Sequence, residues 1–419
     1  MTFAQGTSLV LLGLVLVIAV WRRMNVGVIA LAAALPVLAL SGLSASKMYT
    51  AFPGDLFVLI AGVSLLFAHL AQSGALEWFV EKVFSAVGAR QWMLPWTGFI
   101  IAAALSTAGA FSTAPIAFLV PIVAHVCTRY RSSFLVAELA VIIGANTAGL
   151  SPLNPTGAVV RTAAHKFNVH YPGWGLWAAS VIVAAIVVLC IQLGAAAARR
   201  RDGNGFDVTP APAQSDRDPG EKPRPLYMWA SGVALIAFVL LVVVGKTDVG
   251  VTSMCMAALL QIAFHPPERP LLNKVPWTSI LLLCGLLTYL GLMQKIGTMD
   301  SIAHGLRHLG TGALLILVIA YMTALLCNIE SSAVGVLGLM TPIVFSTFGQ
   351  SSSTFWIAVA VCVPASLMVM NPIHVAGTLI IGNSSVADQD VLFRRLLGLA
   401  ALLAVIVPGL LALIPIAIR

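Results

Sequence analysis

Two prolines stand where a membrane helix cannot keep them, and the chain repeats the offence. Pro152 and Pro155 fall in Ser151-Pro-Leu-Asn-Pro-Thr-Gly157. A second stretch, Asn371-Pro-Ile-His-Val-Ala-Gly377, aligns Pro372 with Pro152, His374 with Asn154 and Gly377 with Gly157, each 220 residues on. The setting makes this matter. Of 419 residues 59% are hydrophobic and 9% charged, and mean hydropathy is +0.99, so the chain is an all-α polytopic membrane protein. Broken helices persist at membrane depth only around a protected cavity. Matching breaks in two halves are the best sequence pointer to the central binding site of a transporter.

Apolar runs of spanning length occur at about 7–21, 25–42, 55–73, 174–194, 226–244, 249–265, 276–293 and 396–418. The first lacks a basic leader and a small-residue cleavage site, so it reads as a retained helix. Regions 92–127 and 311–346 are long and interrupted by small polar residues, as in re-entrant hairpins. Regions 135–163 and 355–386 hold the Pro-broken motifs and read as unwound spans. The expected architecture is about ten spans plus two re-entrant hairpins and two broken helices.

The halves correspond elsewhere. Gly62 and Gly74 match Gly285 and Gly297 at an offset of 223, and Pro121-Ile-Val matches Pro342-Ile-Val at 221. This predicts a first repeat at 1–194, a polar linker at 195–225 and a second repeat at 226–419. The linker carries Arg199, Arg200, Arg201, Arg217, Lys222 and Arg224, too polar to bury apolar area. With the linker in the cytoplasm, 16 of the 23 Lys and Arg lie inside, as the positive-inside rule requires. Each half then crosses five times, both termini lie outside, and the second half is inverted in a cell inner membrane. The net charge of +8 sets orientation and is no nucleic-acid signal. The six cysteines lack metal-ligand spacing.

Four polar constellations carry the candidate chemistry. At the turn of the first hairpin, Ser106, Thr107, Ser112 and Thr113 bring hydroxyls and helix N-termini together, a setting for an anion without a buried base. At the first break, Asn146, Ser151, Asn154 and Thr156 offer oxygens to a small cation and N–H donors to an anion. At the second hairpin turn Glu330 is flanked by Asn328, Ser331 and Ser332; an ionisable group there is costly and usually functional. At the second break stand Ser366, Asn371, His374, Thr378 and Asn383, where His374 can bond a carboxylate or titrate. The expected substrate ligands are Ser112, Thr113, Asn154, Thr156, Ser332, Asn371, His374 and Thr378. Those for a coupling ion are Ser106, Asn146, Ser151, Asn328, Glu330 and Ser366.

Other polar residues read as structural. His69, His125, Asp55 and Glu138 fall near span ends. Arg161, His165, Lys166 and His170, just outside the first broken span, read as an interfacial snorkelling set, with attraction of anions to the entrance as the alternative. Trp92, Trp96, Trp174 and Trp177 read as an aromatic belt. No phosphate-binding loop, nucleophile elbow, metalloprotease helix or dinucleotide fingerprint occurs, so neither an ATP-driven pump nor an enzyme has residues to run on.

At Gly144-Ala-Asn146 followed by Ser151-Pro-Leu-Asn-Pro-Thr-Gly157, with the Asn371-Pro copy downstream, the chain resembles the malonate/dicarboxylate carriers (MatC type) of the ion transporter superfamily. The divalent anion/sodium symporters belong to the same superfamily. The resemblance is clearest over 55–165 and 277–386. In the symporter branch a Ser-Asn-Thr motif at each hairpin tip binds substrate carboxylate beside a sodium site. Counted back from Pro121 and Pro342, that motif falls on Phe111-Ser112-Thr113 and Ser332-Ala333-Val334, so two residues match in the first copy and one in the second. The resemblance implies a homodimer, sodium ions and a mobile transport domain. The expected function is secondary transport of a small organic anion, a C3–C4 dicarboxylate, coupled to sodium or protons. The alternatives are a sodium/proton antiporter and a passive anion channel or exporter.

Overall fold

The structure is a computed structural model and describes residues 2–22, 24–87, 90, 92–130, 133–202, 225–308, 312–329, 333–349, 351–372, 374–385 and 389–418. The first half runs α1 (Phe3–Arg22), α2 (Val26–Ser41), α3 (Ala45–Tyr49), α4 (Gly54–Ser73), α5 (Ala75–Val87), α6 (Leu94–Thr107), α7 (Thr113–Tyr130), α8 (Phe134–Ala148), α9 (Pro155–Lys166) and α10 (Gly173–Asp202). The second runs α11 (Pro225–Val243), α12 (Val249–Phe264), α13 (Glu268–Asn273), α14 (Trp277–Lys295), α15 (Thr298–His308), α16 (Gly312–Ile329), α17 (Ala333–Phe348), α18 (Thr354–Leu367), α19 (Val375–Gly382) and α20 (Gln389–Ile418). A 3₁₀ turn, Met368–Met370, extends α18. Each of the eight expected spans is a helix. The bulk of linker 195–225 lies outside the described residues.

The element-by-element match extends to the caps. Asn25 and Asp248, 223 apart, cap α2 and α12 with their side chains. Gly74 and Gly297, at the same offset, turn the chain after α4 and α14 with φ of 78° and 76°, a region glycine enters freely. Each of these turns leads into a helix additional to the expected spans. α5 buries Leu76, Val80 and Phe84 at four-residue spacing and carries Glu77, Glu81 and Lys82, the pattern of a helix lying in the membrane interface. α15 stands in the equivalent place with Asp300 and Arg307. The short α3 and α13 are further additions between spans, and both are largely exposed.

The halves are interlocked. α2 packs on α14 of the other half, and α12 packs on α4. α1 follows its partner across: the Tyr289 hydroxyl donates to the Ser8 carbonyl at 2.8 Å. In the same way α11 crosses to the first half, where its Tyr227 hydroxyl meets His69 of α4 at 2.7 Å. Both crossings close on glycine. A Cβ on Gly285 would run into the backbone of Gly27, and one on Gly27 into that of Leu281 and Leu282. A Cβ on Gly62 would strike Ser253 and Gly250, and one on Gly250 would strike Leu59. Gly27 and Gly250 are 223 apart, as are Gly62 and Gly285. Small residues permit this closeness, and dispersion over the contact holds helices together in lipid.

α4 and α14 are therefore central, with 67% and 72% of their spanning windows buried, against 17% for α11 and 22% for α10. α10, α11 and α20 present Ile182, Ile186, Val233, Ile236, Leu402 and Val405 outward, where a bilayer would cover them. α6 and α7 form the first expected hairpin, and α16 and α17 flank the second turn. α8 and α18 lie inside both, and every residue of α8 is buried. Gly285→Ala is expected to destabilise the fold by roughly 1–3 kcal/mol through overpacking. Gly13→Ala, which has open space around it, should leave the thermal midpoint of the purified protein unchanged. Equal midpoints for both would remove the glycine crossing as a determinant.

Candidate functional site

α8 stops because Pro152 and Pro155 cannot donate to a helix ladder. The chain turns instead: the Ser151 and Asn154 amides donate to Ala148 and Ser151 carbonyls at 3.1 and 3.0 Å. Asn154 then caps α9, its Oδ1 accepting from the Thr156 amide at 3.0 Å, with Pro155 in the first helical position. Gly157 is required at the start of α9 because a Cβ there would meet the Ser151 and Leu150 carbonyls; Gly377 lies equally tight against Asn371 and Pro372.

Each break is latched to the inner end of its own hairpin. Asn154 Nδ2 donates to the carbonyls of Ser106, at 2.9 Å, and Ala110, at 2.7 Å. Ser151 Oγ donates to the Thr107 carbonyl at 2.8 Å. In the second half His374 Nε2 bonds the Cys327 carbonyl at 2.6 Å. Asn371 Nδ2 donates to the Asn328 carbonyl at 3.2 Å and to its Oδ1 at 2.9 Å. Ser106 and Thr107 match Cys327 and Asn328 at an offset of 221, that of the paired prolines. The same two carbonyls are thus bonded in both halves, by Ser and Asn in one and by Asn and His in the other. A carbonyl only accepts, so His374 carries its proton on Nε2.

This geometry places the expected ligands. Ser151 and Asn154 stand at the first break and Asn371 and His374 at the second, and each spends donors on its own latch. Asn146 and Ser366 turn back onto their own helices, to Ile142 at 2.9 Å and Cys362 at 3.0 Å, and Asn328 does so to Ala324. Ser112 and Thr156 are buried beside the first latch. Thr113, at the start of α7, and Thr378, on α19, are exposed. The Ser106 hydroxyl is fully buried and makes no hydrogen bond among the described residues. Glu330, Ser331 and Ser332 lie outside the described residues.

Four helices, α7, α9, α17 and α19, run outward from this region by their N-termini. α9 packs on α17 and α7 on α19. Asn154 caps α9, whereas among the described residues no side chain caps α19. Exposed N–H groups at a helix start favour anions.

Several residues take places that differ from the expectation. Trp177 is no belt residue: its indole donates to Thr107 Oγ1 at 2.9 Å, beside the first latch. Ser180, one turn on, donates to the Thr147 carbonyl at 2.6 Å. Arg161 turns back to donate to the Pro152 carbonyl at 3.3 Å. Glu138 is wholly buried and its carboxyl oxygens make no hydrogen bond among the described residues; His69 is buried too. Residue type does not tell which way such side chains face, and Trp174 beside Trp177 is exposed. A cavity of about 450 Å³ lies at the end of α9, lined by Asp55, Arg161, Thr162, His165 and Lys166.

A buried pair of latched helix breaks inside a helical shell with apolar outer faces is the architecture of a polytopic membrane protein. Residues 16–364 match the citrate transporter family (CitMHS), and the chain belongs to that family. It is also similar in fold to the YdaH transporter of Alcanivorax borkumensis, whose crystal structure is described as having an unusual topology. The identity is 15% over 88% of this chain and 87% of that one, with a TM-score of 0.59. No curated protein matches the sequence.

Asn154→Asp keeps the shape of the latch but puts a carboxylate oxygen against two carbonyls. It should destabilise the purified protein by roughly 1–3 kcal/mol, read as a lower thermal midpoint in detergent. An unchanged midpoint would show that the latch does not hold the break.

Proposed function

We propose that the chain carries small organic carboxylate anions across a cell inner membrane by secondary active transport, coupled to sodium or protons. The observation that carries this reading is the matched pair of latched breaks, from which four helix N-termini lead away. The family description supports citrate as a substrate, and the resemblance to the malonate type supports C3–C4 dicarboxylates. Both are multiply charged carboxylates. Ser112, Thr113, Asn371, His374 and Thr378 are the proposed substrate neighbours, with the uncapped start of α19 supplying amides. The buried Ser106 hydroxyl and the carbonyls around the breaks are the proposed surroundings of a coupling cation, whose charge offsets the cost of desolvating a carboxylate.

Residues 1–194 and 226–419 are read as inverted repeats with linker 195–225 in the cytoplasm, and the working unit as a homodimer. On that orientation α9 and α17 meet in the outer half of the membrane and α7 and α19 in the inner half. Parting one pair while the other stays closed would expose the breaks to one side at a time.

Purified protein in liposomes, given radiolabelled citrate, malonate or succinate with and without sodium and proton gradients, tests this. Gradient-driven, saturable uptake of at least one is expected. Ser112→Ala should lower uptake about tenfold, the loss of one hydrogen bond to a charged group, with expression unchanged. Sodium-driven proton movement without carboxylate uptake would replace the proposal with an antiporter, and non-saturable, gradient-independent flux would replace it with a channel.

A further inference from the structure

The two latches are near copies, but the ends of the two helices that leave them are not. At the end of α9 the 450 Å³ cavity is walled by Arg161, Thr162, His165 and Lys166, with Asp55 facing from the start of α4. The repeat supplies the equivalent positions at the end of α19. Arg161, Thr162 and His165 correspond, at an offset of 220, to Ile381, Gly382 and Ser385, and Lys166 corresponds in sequence to Val386. Asp55 corresponds, at 223, to Thr278. None of these counterparts is charged. Beyond the cavity, exposed His170 is answered by exposed Asp390.

A snorkelling set would point its charges away from the protein. Arg161 does the reverse. It is half-buried, and one of its five N–H donors reaches back to the Pro152 carbonyl within the break. The rest of its guanidinium fork is the kind of group that takes a carboxylate bidentately. Lys166, also half-buried, adds a second cation to the same walls, so the two outnumber Asp55.

We infer that Arg161 and Lys166 form a carboxylate-binding vestibule at one mouth of the carrier only, which gives it a higher apparent affinity for its anion from that side. On the proposed orientation this is the outer side. The inference rests on the carrier reading above. Binding here precedes the breaks and raises the local anion concentration at one entrance, so it changes how the anion is captured rather than how fast the loaded carrier turns inward.

The test compares right-side-out with inside-out vesicles containing the wild type, Arg161→Gln, Lys166→Gln and Arg161→Lys. Each Gln variant should raise KM for citrate or malonate from the outer side about tenfold, the loss of one charge-assisted hydrogen bond. The maximal inward rate and the inner-side KM should hold. The maximal outward rate should fall by the same factor, because a reversible carrier has one ratio of rate to KM for both faces. Arg161→Lys should recover part of the loss. An equal rise on both sides, an unchanged outer KM, or a fall in maximal inward rate alone would each overturn the inference. If wild-type protein transports no carboxylate, the proposed function fails and the vestibule is judged by binding. Citrate should then slow chemical acetylation of Lys166 but not of Lys246, followed by mass spectrometry of the full chain. Equal rates with and without citrate would overturn it.

Discussion

A backbone carbonyl released from a helix inside a bilayer has no water to bond, and the centre of this molecule is arranged around that demand. Proline creates the breaks; the carbonyls and amides they free must be satisfied by protein. The latches do this twice. Side chains of each break take the last carbonyls of the adjoining hairpin arm, and Asn154 also supplies the cap that α9 needs. The breaks are therefore ordered without a continuous helix.

The latches also divide the molecule. Within a half, hydrogen bonds join the break to its hairpin, so the two form one unit. Between halves, the helices that lead away from the breaks meet by packing, α9 on α17 and α7 on α19. Packed helix faces slide and part at lower cost than buried polar networks break.

Much of this was legible because the signals were local and severe. Proline and small polar residues mark the breaks and hairpins, unbroken apolar runs mark the spans, and Gly62, Gly74, Gly285 and Gly297 mark the repeat. The same glycines proved to be crossing and turn positions, a reason that sequence alone does not supply. What escaped had weak or non-local signals. α5 and α15 are too short and too charged to read as spans. Trp177 and Arg161 turn inward where neighbours of the same kind face out. The exchange of helix pairs between halves leaves no trace in hydropathy, since a face buried against α14 looks like one buried against α4. The two breaks themselves could be read from their prolines. Composition could not tell that Asn154, Ser151, Asn371 and His374 would spend donors on holding the backbone there.

That exchange of helix pairs bears on how the molecule is made. α2 is synthesised some 250 residues before α14, the helix it packs on, and α4 must likewise wait for α12. Gly27 and Gly62 then sit as open notches on their helices until the later half of the chain arrives. The nascent first half can be threaded into the membrane but not finished there. Its assembly is completed by its successor, and a ribosome that stops early leaves behind a set of helices with no partners rather than half a carrier.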